Sequence, residues 1–196
     1  MTVTATLSLT DGRLLARLAA DAVHARLTCG RLAARIPPGS PLHDDGASFV
    51  TLECGGALRG CVGSLEPVRA LHHDVVHNAL RAMNDPRLPP VTIADWPALD
   101  VKVSVLGAPE PIPAASREEL LAALRPGVDG LIITDDGRRA TFLPSVWVKL
   151  PDPEQFLAAL LRKGGWAAPE WPAGLIAQRY GSTEFHDHAP RAALPP

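Results

Sequence analysis

Three cysteines, Cys29, Cys54 and Cys61, are too few and too odd in number for a disulfide framework. The chain also lacks any run near the roughly 20 apolar residues that span a bilayer. No block of lysine and arginine stands out, since 19 basic residues face 21 acidic ones for a formal net charge of −2. A nucleic-acid footprint is therefore missing. Met1–Thr10 has no basic stretch leading into an apolar run, so no cleaved secretory signal is expected. These absences describe a protein with reduced thiols, expected in the cytoplasm and without a membrane or nucleic-acid partner.

Proline is abundant: 20 in 196 residues is about twice the usual share. Most fall between predicted elements, as loop stiffeners and helix stops. A length of 196 residues with 46% apolar and 20% charged residues suits a sizeable core rather than a disordered chain.

Thr10 is the expected cap of a helix through Leu14, Leu15, Leu18, Ala22 and Leu27. A proline-rich loop follows around Ile36–Pro41, and His43-Asp44-Asp45-Gly46 continues it as a polar turn. Strands over Phe49–Cys54 and Ala57–Leu65 flank the hairpin signal Gly55-Gly56. The spacing predicts a helix over Val68–Met83, with Leu71, Val75, Ala79, Ala82 and Met83 inward and Asp85-Pro86 as its stop. Val101–Val105 alternates as a half-buried strand. Ser116–Glu119 has capping-box spacing, and Pro126-Gly127 ends that helix. Leu131–Thr134 and Arg139–Leu143 flank Asp135-Asp136-Gly137 as a second hairpin. Asp152-Pro153 opens another helix that Gly164-Gly165 closes. A last strand is expected over Arg179–Phe185, then a frayed tail over 186–196. Hairpins mixed with separate helices give an α+β class with mostly antiparallel sheet.

The most informative stretch is Leu58-Arg59-Gly60-Cys61-Val62-Gly63-Ser64. If Gly55-Gly56 is the whole loop, Cys54 faces Ala57, Leu52 faces Arg59 and Val50 faces Cys61. Positions i and i+2 then put the Arg59 guanidinium and the Cys61 sulfur on one face, where a cation raises the thiolate fraction. Gly60 and Gly63 leave room for a close backbone approach or a bulge. In the plain register Cys54 and Cys61 share a face about four residues apart, roughly 13 Å, beyond disulfide reach. A bulge would change that register.

The ordered set Phe49-Val50-Thr51-Leu52, Leu58 to Gly63, Asn78-Ala79, Asp85-Pro86-Arg87, Val103-Ser104-Val105-Leu106, Pro109-Glu110-Pro111, Pro126 to Gly130, Ala140 to Pro144 and Arg179-Tyr180 resembles the AMMECR domain family. The resemblance covers about Phe49–Phe185. It implies one domain over 1–196, with an N-terminal helix and loop (1–45), a motif-bearing core (49–185) and a tail (186–196). It further implies a larger and a smaller lobe forming a cleft. The chain resembles a bacterial member of protein A type, from a gene neighbourhood shared with a Memo-type protein and a radical SAM protein. The family has no settled reaction, and its usual candidate site maps onto Arg59, Gly60 and Cys61. Val62 stands where isoleucine is common and Leu88 where phenylalanine is common. Lys163-Gly164-Gly165-Trp166 replaces a frequent lysine-alanine-glycine-leucine, a change expected at the entrance to the cleft.

Cys61 is the candidate nucleophile or redox thiol, against the alternative of a small buried hydrophobe. Arg59 is the candidate clamp for an anionic group, against a structural salt bridge. Leu58, Gly60, Val62 and Gly63 supply the backbone around them. His73 and His77, beside His72, are i and i+4 on the second helix and would need a third ligand such as Cys61 to hold a metal. Two solvated histidines are the favoured reading of that spacing, and neither metal nor cofactor is expected. Asn78 is expected to bond backbone across the hairpin, and Asp85 and Arg87 to pin a loop. Thr141 and Ser145 are candidate cleft hydroxyls, and Lys163 is a helix-end cation that could recruit an anion. Trp147, Trp166 and Trp171 fit core or rim alike. Three functions follow: a cysteine-dependent enzyme on a small-molecule ligand, a non-catalytic adaptor domain, or a metal-dependent hydrolase or lyase using His73 and His77. Monomer and homodimer are both open, because antiparallel sheets leave edges that a second copy could cover.

Overall fold

In the computed structural model, which describes residues 7–166, 171 and 174–194, the chain forms four α-helices and eight strands among the described residues. They run α1 (Leu9–Leu27), β1 (Ser48–Cys54), β2 (Ala57–Gly63), α2 (Leu71–Ala82), β3 (Leu99–Leu106), β4 (Glu110–Ile112), α3 (Arg117–Ala123), β5 (Gly130–Asp135), β6 (Arg138–Phe142), α4 (Pro153–Lys163), β7 (Ile176–Tyr180) and β8 (Ser182–Asp187). Short 3₁₀ turns fall at Pro41–His43, Ile93–Ala98 and Pro144–Val148. The α+β, antiparallel class read from the hairpin signals is the one observed. Two compact units divide the chain, one of residues 1–106 with 183–196, the other of 107–182.

In the first unit the sheet order is β2-β1-β3-β8, with β1 antiparallel to both neighbours. Alternation sends Val50, Leu52, Val101 and Val103 to one face, where they are buried with Leu15, Ala19 and Val23 of α1 and Val75 and Ala79 of α2. Each such Leu or Val contributes about 1.5–3 kcal/mol by leaving water. Ser8, rather than Thr10, caps α1, its hydroxyl accepting the Asp11 N–H at 3.1 Å. The helix therefore begins one residue before the expected cap. Helix α2 starts at Leu71 instead of Val68, because the residues before it are held in extended backbone by the Asp45–Ala70 bridge.

The second unit has sheet order β4-β7-β5-β6, packed on α3 and α4 through Leu131, Ile133, Leu120, Phe156, Leu157 and Leu160. Its hairpin loop is two residues, Asp136-Gly137, both with positive φ (45° and 75°), the pattern of a tight primed turn. Asp135 is thus the last strand residue, paired with Arg138.

The single strand expected over Arg179–Phe185 is two strands. Gly181 separates β7, in the second sheet, from β8, in the first. A continuous β-prone run carries no mark of which sheet each half joins. Nor do the described residues of the tail, 186–194, fray as expected, and 195–196 lie outside the described residues. Arg191 donates to Leu99 O (3.0 Å) and Asp187 O (2.9 Å), its own N–H bonds Pro97 O, and its guanidinium lies 4.8 Å from the Trp96 ring.

Trp166 is a core residue of the second unit, 6% exposed, with its indole N–H on Asp135 Oδ2 at 3.2 Å. A Cβ on residue 164 would lie 1.8 Å from its ring. Glycine at 164 and tryptophan at 166 are therefore sterically matched, and the pair lies in the core rather than at an entrance. Gly164→Ala is expected to cost about 2 kcal/mol of stability through overpacking, and Trp166→Leu added to it should recover part of that loss. Urea unfolding of both variants checks this.

Candidate functional site

The hairpin of β1 and β2 begins as predicted, with Cys54 opposite Ala57 and Glu53 opposite Leu58. Then the register shifts: Leu52 pairs with Gly60, Thr51 with Cys61 and Val50 with Val62, leaving Arg59 as an extra, bulged residue. The physical reason lies in burial. Leu52 is fully buried against the helices, so the plain register would drive a guanidinium into that core. The bulge puts Gly60 there instead, directly beneath the end of α2, where a Cβ would sit 1.9 Å from the Ala82 carbonyl oxygen.

Two sequence expectations change with the register. Cys54 and Cys61 do not share a face: alternation sets Cys54 with Leu52 and Cys61 with Thr51 on the opposite side of the sheet. Both are free thiols. Arg59 and Cys61 do not share one either. Arg59 Nη2 donates to Asp95 Oδ2 at 2.9 Å and to Pro90 O at 3.2 Å, the salt bridge that was the alternative to an anion clamp. Burial acts against the Asp95 carboxylate, but the Thr92 N–H (2.8 Å) and hydroxyl, with Arg59, hold it below its ordinary range.

The cation beside Cys61 is Arg87. Strand β2 is a sheet edge, and the Cys61 N–H and C=O both point outward from it. The N–H donates to Asp85 Oδ2 at 3.1 Å, and the C=O accepts from Arg87 Nη2 at 2.9 Å. Arg87 in turn forks onto Asp85 through Nε (2.8 Å) and Nη2 (2.6 Å). The pair thus occupies the place a neighbouring strand would take and closes the edge at the motif. The Arg87 fork, aided by the Cys61 N–H, holds the buried Asp85 carboxyl well below the usual carboxylate range against the effect of burial. Cys61 is a partly exposed residue, and its sulfur accepts a hydrogen bond from the Thr51 hydroxyl at 3.3 Å. Gly63 lies under the Phe49 ring, 2.2 Å from where a Cβ would be, while Val62 packs on the core and Leu58 is exposed.

Asn78 is buried in a separate network. Its amide donates to Ser48 O (3.0 Å) and to Asp74 Oδ2 (2.9 Å), and Asp74 also takes the Ser48 N–H and the Ser48 and Ser64 hydroxyls. His73 and His77 stand at exposed positions of α2. No group of three His, Cys, Asp or Glu side chains able to hold a metal occurs among the described residues, and Cys61 is not brought to that pair. Instead His73 packs on His72, and His72 bonds Leu42 O at 2.8 Å.

Thr141 and Lys163 belong to the second unit. The Thr141 hydroxyl bonds Leu131 O and the Tyr180 hydroxyl, each at 2.9 Å, and burial pushes the Tyr180 phenol up to about 12. Lys163 Nζ donates to Thr141 O at 2.9 Å on the edge strand β6. Ser145 is exposed, Trp147 is buried and bonded to Asp129 O, and Trp171 packs at the margin of the second core.

Sequence reasoning missed Thr51, Asp74 and Asp95. Asp74 stands four residues before Asn78, a spacing that shares a helix face and could have flagged the pair. Thr51 carried no signal, because its position opposite Cys61 exists only in the bulged register.

Comparison with known proteins adds the following. The AMMECR1 family model matches residues 16–185. A protein of Methanothermobacter thermautotrophicus is 38% identical, over 82% of this chain and 85% of its own length. One from Thermofilum pendens is 36% identical, over 94% and 93%. The crystal structure of the uncharacterized protein PH0010 from Pyrococcus horikoshii superposes with a TM-score of 0.80 at 31% identity, covering 92% of this chain and 93% of that one. No helix among the described residues is long and apolar enough to cross a membrane.

Proposed function

We propose, on the premise that this chain belongs to the AMMECR1 family, that it acts on a small molecule through the Cys61 thiol. The observation that supports this is the setting of Cys61: a partly exposed residue on the sheet face away from the helices, hydrogen-bonded at sulfur by Thr51 and clamped at its backbone by Asp85 and Arg87. A nucleophile on a rigid strand is held better than one on a loop. The Cys61 sulfur adds to a carbonyl-type carbon of the substrate, so that a sulfur–carbon bond forms as the C=O π bond breaks, its electron pair moves to oxygen and the thiol proton passes through solvent to that oxygen. Arg87, whose side chain is 69% exposed, attracts the substrate's anionic group. Arg59 takes no part beyond its salt bridge. The protein is bacterial, cytoplasmic, needs no cofactor of its own, and works alongside a Memo-type protein and a radical SAM protein.

An adaptor role is the second reading, favoured by one observation: the Asp85–Arg87 pair is committed to backbone groups of Cys61 rather than to its sulfur. The two separate by metabolite profiling of a strain lacking the protein, complemented with wild type or Cys61→Ala. Only wild type should restore the profile; equal rescue by Cys61→Ala favours the adaptor.

A further inference from the structure

We infer that Thr51 is a positioning residue for the Cys61 thiol, an inference that rests on the reading of Cys61 as the reacting group. The Thr51 hydroxyl donates to the Cys61 sulfur over 3.3 Å. Because the Cys61 N–H and C=O both turn away from β1, Thr51 and Cys61 form the non-hydrogen-bonded kind of cross-strand pair, in which side chains stand closest. Threonine is stiff at χ1, so its donor is aimed in advance. The bond holds the sulfur in one orientation on the strand, the orientation from which it attacks.

The pairing depends on the bulge at Arg59. In the plain register Val50 would stand opposite Cys61, with no hydroxyl to offer, and the thiol would face the helices. The glycine that admits the close approach of α2, the bulged arginine and the threonine on the neighbouring strand thus act together: the first two set the register, and the third meets the sulfur. Thr51 touches no substrate in this scheme and acts only through Cys61.

The test is the rate at which iodoacetamide alkylates Cys61 in the folded chain at pH 7, mapped by peptide mass spectrometry. In that reaction a sulfur–carbon bond forms, the carbon–iodine bond breaks, iodide leaves and the thiol proton passes to solvent. Thr51→Val keeps the shape and the strand preference but removes the donor, and is expected to slow Cys61 about tenfold. Thr51→Ser restores a donor and should stay within about threefold of wild type. Thermal unfolding of each variant confirms that the comparison is between folded proteins. Thr51→Val reacting at the wild-type rate, or Thr51→Ser as slow as Thr51→Val, overturns the role of Thr51 while leaving the thiol reading intact. A wild-type Cys61 that does not react in the folded chain overturns both.

Discussion

Gly60→Ala is expected to lower the stability of this chain by about 3 kcal/mol, the largest effect of any single methyl added to the motif. The added Cβ would lie 1.9 Å from the Ala82 carbonyl oxygen and 2.8 Å from its carbon. These are backbone atoms at the end of α2, so no side chain can swing aside. Either the helix end lifts from the sheet or β2 abandons its bulge, and both outcomes disturb the pairing of Cys61 with Thr51. Urea denaturation reads the loss directly. Gly55→Ala serves as the control, since its neighbourhood holds no atom within 4 Å of the added carbon and its φ of 58° makes the penalty one of backbone strain alone. A Gly60→Ala protein as stable as the control would mean that the close approach does not matter.

Asp85→Ala is expected to cost about 2 kcal/mol, less than a fully buried ion pair would, because the Arg87 partner left behind is largely solvated. What is lost is the acceptor for the Cys61 N–H and the brace that holds Arg87 on the Cys61 carbonyl. The same carboxylate gives an acid signature. Its folded value is depressed below its unfolded value, so its contribution is present in full above about pH 4 and fades as pH falls from there toward the folded value. The stability gap between wild type and Asp85→Asn should accordingly be constant near neutrality and narrow below about pH 4. Unfolding curves taken across that range check the sign. A gap that widens on acidification would contradict the clasp.

Much of the fold was legible because its signals are local. Gly55-Gly56 marked the first hairpin, Asp152-Pro153 and Gly164-Gly165 bounded α4, and the spacing of Leu71, Val75 and Ala79 marked the inner face of α2. Features decided by tertiary pairing were not. The division at Gly181 depends on two different sheets, and the tail's attachment depends on Arg191 meeting Trp96 and Leu99 about ninety residues away. At the candidate site the motif named Cys61 but misassigned its cation, since one bulged residue turns every side chain beyond it to the other face. Arg87, read as a loop pin, does pin the chain, and what it holds is the Cys61 peptide itself.

The central claim is that Cys61 is a reactive thiol on the sheet face away from the helices, and the most direct measurement is its modification in the folded wild-type chain. Native protein treated with iodoacetamide at pH 7 should carry the label on Cys61 well before Cys54, whose thiol is turned onto the Asp95 carbonyl at 3.8 Å. Contradiction would be a Cys61 that stays unlabelled until the chain is unfolded.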